Sequence, residues 1–304
     1  MASIPIISFE DADHLMSWKL VMDAISDGHK KPKGEVADSF VRRQDDTLLT
    51  RSAWIDGLGV VVKAATVIPK NSPSIDGGVM LFNDTKGSLD AVIDFHLVTK
   101  WKTVGDSLLA ASILARPNSN RMVILGAGTV SRNLIDAYRS LFPDIQISIW
   151  NRTITTAEAL AKDMGCDVAY NLGDAVASAD IVSCATMSST PVLHGEWVSK
   201  GCHVDLIGAY RPDMREADDT AIASGTLFVD SRDTTISHIG ELRDPIARGI
   251  ISANDVKADY YDLAFGRFAR NSDTEITIFK NGGGAHLDLM VANAALRIWQ
   301  KSQG

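Results

Sequence analysis

The feature that most constrains the fold is the apolar run Met122–Leu125, which ends in the turn Gly126-Ala127-Gly128 and leads into a helical pattern. Further apolar runs follow, separated by helical or turn segments, at Gln146–Trp150, Asp167–Tyr170, Ile181–Cys184, His203–Ile207 and Leu227–Val229. Strands that alternate with helices form a parallel sheet with crossover helices. The six runs therefore predict an α/β, Rossmann-type domain that binds a dinucleotide, and we assign residues 116–280 to it.

The residues before this domain show a different pattern of apolar residues, which predicts a first helix over Glu10–Ser26. Four short strands are predicted after it, at Asp38–Arg43, Thr47–Ala53, Gly59–Ile68 and Gly78–Phe82. The turn Asn83–Gly87 separates the apolar runs Val79–Phe82 and Leu89–Ile93, and this arrangement predicts a β-hairpin. The region should therefore contain a mostly antiparallel sheet.

Two longer helices complete the pattern. One runs from about Leu97 to Ala115, and the other runs from Ala285 to about Lys301. The second is long enough to leave the parallel sheet and pack on the first region. We therefore predict a discontinuous α+β domain made of residues 1–115 plus 281–304.

The composition excludes several classes of protein. Hydrophobic residues make up 45% of the 304 residues and charged residues 22%, which is typical of a globular chain. No apolar run approaches the roughly 18 residues that span a bilayer. The segment Met1–Glu10 lacks the basic flank and apolar core of a secretory signal, so we expect a cytoplasmic protein. A net charge of −8 without a basic cluster argues against binding to nucleic acid.

The cysteines and histidines give no sign of a metal site. Cys166, Cys184 and Cys202 are widely spaced and odd in number, so we interpret them as reduced core thiols. The seven histidines show no spacing typical of metal ligands. We therefore expect no metal.

The glycine turn carries the cofactor prediction. Gly126 allows the tight turn, and Gly128 lets a pyrophosphate approach backbone N–H groups at the positive end of the following helix. Ser131 stands where a third glycine is usual. The alternative is a turn that merely requires glycine. The residues that we assign to the cofactor site are Gly126, Ala127, Gly128, Thr129, Val130, Asn151, Arg152, Thr153, Ala185 and Thr186.

The end of the second parallel strand predicts which dinucleotide binds. Enzymes that select NAD usually carry Asp or Glu here to bind the ribose 2′-hydroxyl. This chain has Asn151-Arg152-Thr153 instead, and a guanidinium beside two neutral polar groups suits a 2′-phosphate. The alternative is that Arg152 is an ordinary solvated arginine. We predict NADPH rather than NADH.

A single cation, Lys63, interrupts the apolar strand Gly59–Ile68. An unpaired ammonium there would cost several kcal/mol, so the site must offer an anion, a hydrogen-bonding network or a lowered lysine pKa. The alternative is a lysine that extends to solvent at a strand end. Further residues are candidates for binding a substrate carboxylate together with Lys63. They are Lys102 and Thr103 on the predicted helix and Arg42, Arg43 and Arg51 on the short strands. Each of these arginines is also explained as a solvated surface charge.

Several segments resemble the ornithine cyclodeaminase/mu-crystallin family. The segments are Val62–Pro69, Gly78–Phe82, the glycine turn, Trp150–Thr153, Gly208–Glu216 and Ile278–Asn281. The segment Gly208-Ala-Tyr-Arg-Pro-Asp-Met-Arg-Glu216 is the most specific of these. The resemblance implies a homodimer formed through the discontinuous domain, with substrate held between that domain and the nicotinamide.

The resemblance also implies roles for individual residues. Lys63 matches the active-site lysine of the family, whereas Lys102 stands where the family usually has an arginine that binds the substrate carboxylate. The aspartate that engages the ornithine amine in cyclodeaminases would fall near Tyr210, where this chain has no carboxylate. We expect Asp213 and Glu216 to cap a helix behind this loop.

Together with the resemblance, these residues predict NADPH-dependent reduction of a cyclic 2-imino acid. Reduction of Δ1-pyrroline-2-carboxylate to L-proline is the first expectation, and the six-membered homologue Δ1-piperideine-2-carboxylate is a further candidate substrate. Lys102 and one of the arginines would bind the carboxylate, Thr103 would add a hydrogen bond, and Lys63 would polarise the substrate or deliver a proton. Two enzymatic alternatives are ornithine cyclisation and deamination of the alanine dehydrogenase type. A third alternative is a binding protein without catalysis, like mu-crystallin.

Overall fold

The computed structural model describes residues 4–304 and confirms an α/β fold. The chain divides into two compact units: unit 1 contains the residues up to Gly105 together with Gly284–Gly304, and unit 2 contains Asp106–Gly283. Within residues 4–304, no helix combines the length and apolar character needed to cross a membrane. Residues 1–3, which belong to the segment Met1–Glu10 on which the secretory-signal prediction rests, lie outside the described residues.

Unit 1 is built on a six-stranded sheet in the order β1-β6-β5-β4-β3-β2. Its strands are β1 (Ile6–Ile7), β2 (Glu35–Arg43), β3 (Asp46–Ile55), β4 (Gly59–Val67), β5 (Ile75–Phe82) and β6 (Leu89–Asp94). Its helices are α1 (Phe9–Ala12), α2 (Trp18–Gly28), the first half of α3 (Phe95–Leu114) and α10 (Ala285–Ser302). The β2 to β6 pairings are antiparallel, as predicted, and β5 and β6 form the predicted hairpin.

The prediction of one continuous helix over Glu10–Ser26 is wrong. Helix α1 ends after one turn, and a 3-10 turn at Asp13–Leu15 follows it. Met16 is extended, and the Ser17 side chain then accepts a hydrogen bond from the Leu20 N–H to start α2. A serine directly before an apolar pattern is a helix start signal, so the sequence does contain the reason for this break.

The central strand β4 shows which face of the unit 1 sheet is covered. Val61, Lys63 and Ala65 are buried, whereas the residues between them are partly exposed. Helix α10 packs against β3, β4 and β5. Because successive side chains point to opposite faces of a strand, Lys63 lies on the same covered face as the apolar core.

Unit 2 contains an eight-stranded parallel sheet in the order β13-β12-β14-β11-β10-β7-β8-β9. The strands are β7 (Arg121–Leu125), β8 (Gln146–Trp150), β9 (Asp167–Val168), β10 (Ile181–Cys184), β11 (His203–Leu206), β12 (Thr226–Val229), β13 (Val256–Ala258) and β14 (Thr277–Lys280). The helices between them are α4 (Thr129–Leu141), α5 (Ile154–Met164), α6 (Leu172–Ala177), α7 (Asp219–Ala223), α8 (Arg232–Thr235) and α9 (Gly240–Ala247).

The six predicted parallel strands are present, but the predicted total is two strands short. Strand β14 inserts between β11 and β12, and β13 pairs with the outer side of β12. The strand order reverses between β7 and β10, and such a switch point is where open α/β sheets bind ligands. Two of the cysteines, Cys184 and Cys202, are buried in this unit as expected, while Cys166 is partly exposed.

Candidate functional site

The glycine turn lies at the carboxyl end of β7. Gly126 has a φ of 112°, a conformation that favours glycine, and its N–H donates to the Trp150 carbonyl oxygen at 2.8 Å. A Cβ at this position would lie 2.5 Å from the carbonyl oxygen of Ala185, which directly follows β10. Because of this close approach, the turn at Gly126 brings the ends of β7, β8 and β10 together.

The start of α4 is open to a ligand. Gly128 occupies the N-cap position, no side chain caps the helix, and a Cβ at Gly128 would meet no atom within 4 Å. Ala127 and Val130 are partly buried, whereas Thr129 is exposed. Ser131 is fully buried behind the turn, as expected for the position where the helix packs on the strand. The free backbone N–H groups of this first helical turn suit a pyrophosphate.

The end of β8 presents the three residues predicted to select the cofactor. The Asn151 side-chain amide donates to the Thr153 carbonyl oxygen at 3.0 Å, and both Arg152 and Thr153 are exposed. A groove of about 530 Å³ lies between α4 and α5 and is lined by the glycine turn and by residues of both helices, not by Asn151, Arg152 or Thr153. Arg132 lines this groove and forms an ion pair with Asp163. Sequence reasoning missed Arg132, although its place one residue after Ser131 puts it in the first turns of the helix that follows the glycine turn.

One buried carboxylate fixes the loops that follow β10 and β11. Glu216 accepts hydrogen bonds from the Thr186 N–H at 2.7 Å and the Thr186 hydroxyl at 2.8 Å. Its other oxygen accepts from the N–H groups of Gly208, at 2.6 Å, and Ala209, at 3.1 Å. The expectation that Asp213 and Glu216 cap a helix is therefore wrong: Glu216 joins two loops, and Asp213 pairs with Arg211 at the surface.

Lys63 is held in a buried setting in unit 1. Its ammonium donates to the Thr99 hydroxyl at 2.8 Å and to Asp288 Oδ1 at 2.9 Å, and it lies 4.6 Å from the centroid of the Phe95 ring. Only 6% of the residue is exposed. Burial lowers the pKa of Lys63 to about 8, with a further lowering by the cation of Lys102, and Asp288 acts in the opposite direction. The alternative of a lysine that extends into solvent does not describe this side chain.

Sequence reasoning missed Asp288, the ionic partner of Lys63. The residue lies in the first turn of α10 and has no exposed surface. The two partners are 225 positions apart in the chain, so no local motif joins them. An aspartate among the mostly apolar buried residues of α10 is the signal that could have pointed to it.

Of the other predicted substrate-site residues, Lys102 and Arg51 are close enough to Lys63 to affect its pKa, and Thr103 shares a helix face with Thr99, which contacts Lys63. Thr99, Lys102 and Thr103 occupy one face of α3, since residues three and four positions apart lie on the same side of a helix. Lys102 is buried, and its charge lowers the pKa of both Lys63 and Asp288. Arg51 lies directly opposite Lys63 in the register of β3 and β4, so both side chains point to the same face.

The arginines on the short strands differ in position. Arg51 forms hydrogen bonds with Asp38 at 2.7 to 3.1 Å. Arg42 lies four residues from Asp38 on β2, hence on the same face but near the other end of the strand, and it is exposed. Arg43 points to the opposite face and pairs with Asp46. The structure therefore brings Arg51 to the Lys63 cluster, and it does not bring Arg43 there.

Comparison with known proteins places these features in a family context. Residues 55–302 match the ornithine cyclodeaminase/mu-crystallin family. A Δ1-pyrroline-2-carboxylate reductase from Paracoccus denitrificans is 46% identical over 303 residues, which cover 96% of each chain.

Two solved structures have the same fold. An archaeal alanine dehydrogenase dimer with bound NAD aligns with a TM-score of 0.89 and 25% identity over 99% of this chain and 97% of its own. A Δ1-pyrroline-2-carboxylate reductase from Thermococcus litoralis, in complex with NADH and L-proline, aligns with a TM-score of 0.89 and 22% identity over 99% and 98%.

Proposed function

Because the chain belongs to the ornithine cyclodeaminase/mu-crystallin family, we propose that it reduces Δ1-pyrroline-2-carboxylate to L-proline with NADPH, and the six-membered homologue Δ1-piperideine-2-carboxylate as well. The chain is a nicotinamide-dependent oxidoreductase that acts on C–N bonds. The observation that carries the finer proposal is the cluster of three cations, the buried Lys63 and Lys102 and the partly exposed Arg51, against the two carboxylates of Asp288 and Asp38. A buried cluster with excess positive charge favours a small anionic ligand.

A 2-imino carboxylate supplies the charge that this cluster lacks. Its carboxylate would bind Lys102, with Thr103 adding a hydrogen bond and Arg51 adding positive charge from the neighbouring strand. Lysine offers charge without the bidentate geometry of arginine, so this anchor depends on the combined field of the cluster. Removal of water from such a site strengthens each of these interactions.

The second role in the reaction is delivery of a proton. The bound dinucleotide supplies the hydride that adds to the imine carbon, and the imine nitrogen must gain a proton for the amine to form. A pKa of about 8 for Lys63 lets its ammonium release a proton near neutral pH. Lys63 is therefore the proposed proton donor, acting on the nitrogen directly or through water.

The open turn at Gly128 and the exposed groups at the end of β8 support the cofactor proposal. Pyrophosphate would bind the free N–H groups of α4, and the loops at Ala185 and Thr186, held by Glu216, would line the nicotinamide end. Arg152, Asn151 and Thr153 would bind the 2′-phosphate. The ratio of kcat/KM for NADPH to that for NADH tests this assignment, and a ratio below one contradicts it.

The test of the reaction is a substrate panel. We expect the near-ultraviolet absorbance of NADPH to fall when the protein meets Δ1-pyrroline-2-carboxylate or Δ1-piperideine-2-carboxylate. With NADP⁺, ornithine and alanine should give no comparable rate, since Tyr210 offers no carboxylate for an ornithine amine. If no imino acid oxidises NADPH while the cofactor still binds, the protein is a ligand-binding member of the family and the reductase proposal is wrong.

The uncovered face of the unit 1 sheet supports a homodimer. It carries exposed apolar side chains on several strands, among them Ile6, Val41, Leu48 and Trp54, of which Trp54 is 55% exposed. Apolar faces of this kind mark interaction surfaces. Light scattering should show a dimer that Trp54→Glu weakens, whereas Phe265→Glu, at an exposed aromatic of unit 2, should leave it unchanged. A monomeric protein would contradict the proposal.

A further inference from the structure

We propose that Asp288 is a positioning residue whose carboxylate fixes the Lys63 amine on the covered face of the unit 1 sheet for the proton transfer described above. The inference rests on the proposed function. Asp288 has no exposed surface, so it acts through Lys63 rather than by touching a substrate. Its position at the start of α10 connects the last helix of the chain to the reactive strand β4.

The geometry of the ammonium supports this role. A protonated lysine carries three N–H donors. Two of them point to Thr99 and Asp288, and the centroid of the Phe95 ring lies 4.6 Å from the nitrogen. One donor thus remains for a substrate nitrogen or a bridging water, and its direction is determined by the other two contacts. Without Asp288, only the neutral Thr99 hydroxyl would orient the amine.

The charges around Lys63 explain why a carboxylate is needed there. The charged groups that act on the pKa of Lys63 are Asp288 from α10, Lys102 from α3 and Arg51 from β3, and His286 lies two positions before Asp288 on the same helix. His286 is buried and stays neutral, because burial lowers its pKa to about 3. Burial, Lys102 and Arg51 all favour the neutral amine, and Asp288 is the opposing charge. Loss of Asp288 should therefore lower the pKa of Lys63 further.

The second oxygen of Asp288 strengthens the case for a charged carboxylate. Asp288 Oδ2 is buried and has no hydrogen-bond partner within the described residues. Burial would raise the pKa of this carboxyl, but the positive charges of Lys63, Lys102 and Arg51 outweigh it, and the pKa is lowered. A carboxylate without a full set of hydrogen bonds is costly when buried, so its stability depends on those cations. Such a residue fits a role in the electrostatics of the site better than a role in packing.

The experiment compares Asp288→Asn, Asp288→Glu and the wild-type protein. The pKa of Lys63 is measured by NMR titration of isotope-labelled lysine side chains, with Lys63→Met used to assign the signal. We expect Asp288→Asn to lower that pKa by about one pH unit or more and to lower kcat at least about tenfold near pH 8. The KM for NADPH should stay unchanged, and Asp288→Glu should restore much of the pH profile.

The control is Asp13→Asn, which removes the carboxylate that pairs with Lys100 in the same unit without touching Lys63. It should leave the Lys63 titration unmoved. An unchanged pKa in Asp288→Asn, or an equal change in Asp13→Asn, would overturn the inference. If Asp288→Asn does not fold, Asp288→Glu decides, because its longer side chain keeps the charge but moves the carboxylate: a lowered kcat with the pKa of Lys63 retained supports positioning, and an unchanged kcat overturns it. The titration needs no substrate, so it gives a result even if the panel of imino acids shows no turnover.

Discussion

Two lysines are buried on β-strands, one in each unit, and their surroundings differ. Lys63 in unit 1 faces one carboxylate and two further cations. Lys280 in unit 2 is fully buried, donates at 2.8 Å to the carbonyl oxygens of Leu206 and Asn281, and feels the negative field of the carboxyl groups of Glu216, Glu241, Asp230 and Asp205.

The sign of the excess charge around each lysine separates a structural role from a catalytic one. Around Lys280 the acids outnumber the lysine, so the cation is needed for the structure itself. Around Lys63 the three cations Lys63, Lys102 and Arg51 outnumber the carboxylates of Asp288 and Asp38, so the cluster favours a further anion. A buried lysine on a strand is therefore not by itself a sign of catalysis. The charge of the neighbouring side chains indicates whether its role is structural or catalytic.

The largest effect is expected from Lys280→Met. Several buried carboxyl groups would lose their shared counter-charge, and the free energy of unfolding should fall by about 3–5 kcal/mol. Urea denaturation measures this loss. Lys257→Met, at a partly exposed lysine on β13, is the matched control and should cost far less. Equal losses in the two variants would contradict a structural role for Lys280.

Lys63→Met should show the opposite pattern. We expect kcat to fall at least about tenfold, because the proposed proton donor is gone. Cofactor binding, which we assign to unit 2, should stay intact. The loss of unfolding free energy should be smaller than for Lys280→Met, since Lys102 and Arg51 still compensate the charge of Asp288. Unchanged turnover would remove Lys63 from the mechanism.

These two lysines also show what the sequence could reveal. Lys63 was identifiable because it interrupts a long apolar run, and the parallel sheet was readable because strands and helices alternate at regular spacing after Arg121. Lys280 gave no such signal, since it ends the short run Thr277–Lys280, which was not recognised as a strand. A strand of four residues that is buried on both faces shows no alternation of apolar and polar residues, so periodicity does not identify it.

The missing parts of the site share a physical cause. Asp288 and Glu216 act through contacts that join distant parts of the chain: Asp288 with Lys63, and Glu216 with Thr186. Propensity and periodicity describe neighbours along the chain, whereas these carboxylates are defined by tertiary packing. The register of β3 and β4 likewise decides that Arg51, rather than Arg43, accompanies Lys63, because a shift of one residue would reverse the faces.

A smaller effect is expected from Glu216→Gln, which tests one of the buried carboxyl groups around Lys280. Burial raises the pKa of Glu216 to about 7, against the opposing influence of Lys280 and the Thr186 donors. An acid whose pKa is raised on folding favours the native state most at low pH, and this contribution is lost as the pH rises through about 7. The free energy of unfolding of the wild-type protein should therefore decline from pH 5 to pH 8 by an amount that Glu216→Gln reduces, measured by urea denaturation across this range. A slope that the variant leaves unchanged would show that Glu216 does not titrate there.

The smallest effect is expected from Arg51→Ala, which reduces the cation excess around Lys63. Arg51 acts on Lys63 at longer range than Asp288 and already pairs with Asp38, so its removal should raise KM for the imino acid only about two- to fivefold. The KM for NADPH should not change. Arg43→Ala is the matched control, because Arg43 lies on the opposite face of the sheet and pairs with Asp46. Steady-state kinetics with both variants decide the point: equal KM values would mean that the positive field at Lys63 comes from Lys102 without help from the neighbouring strand.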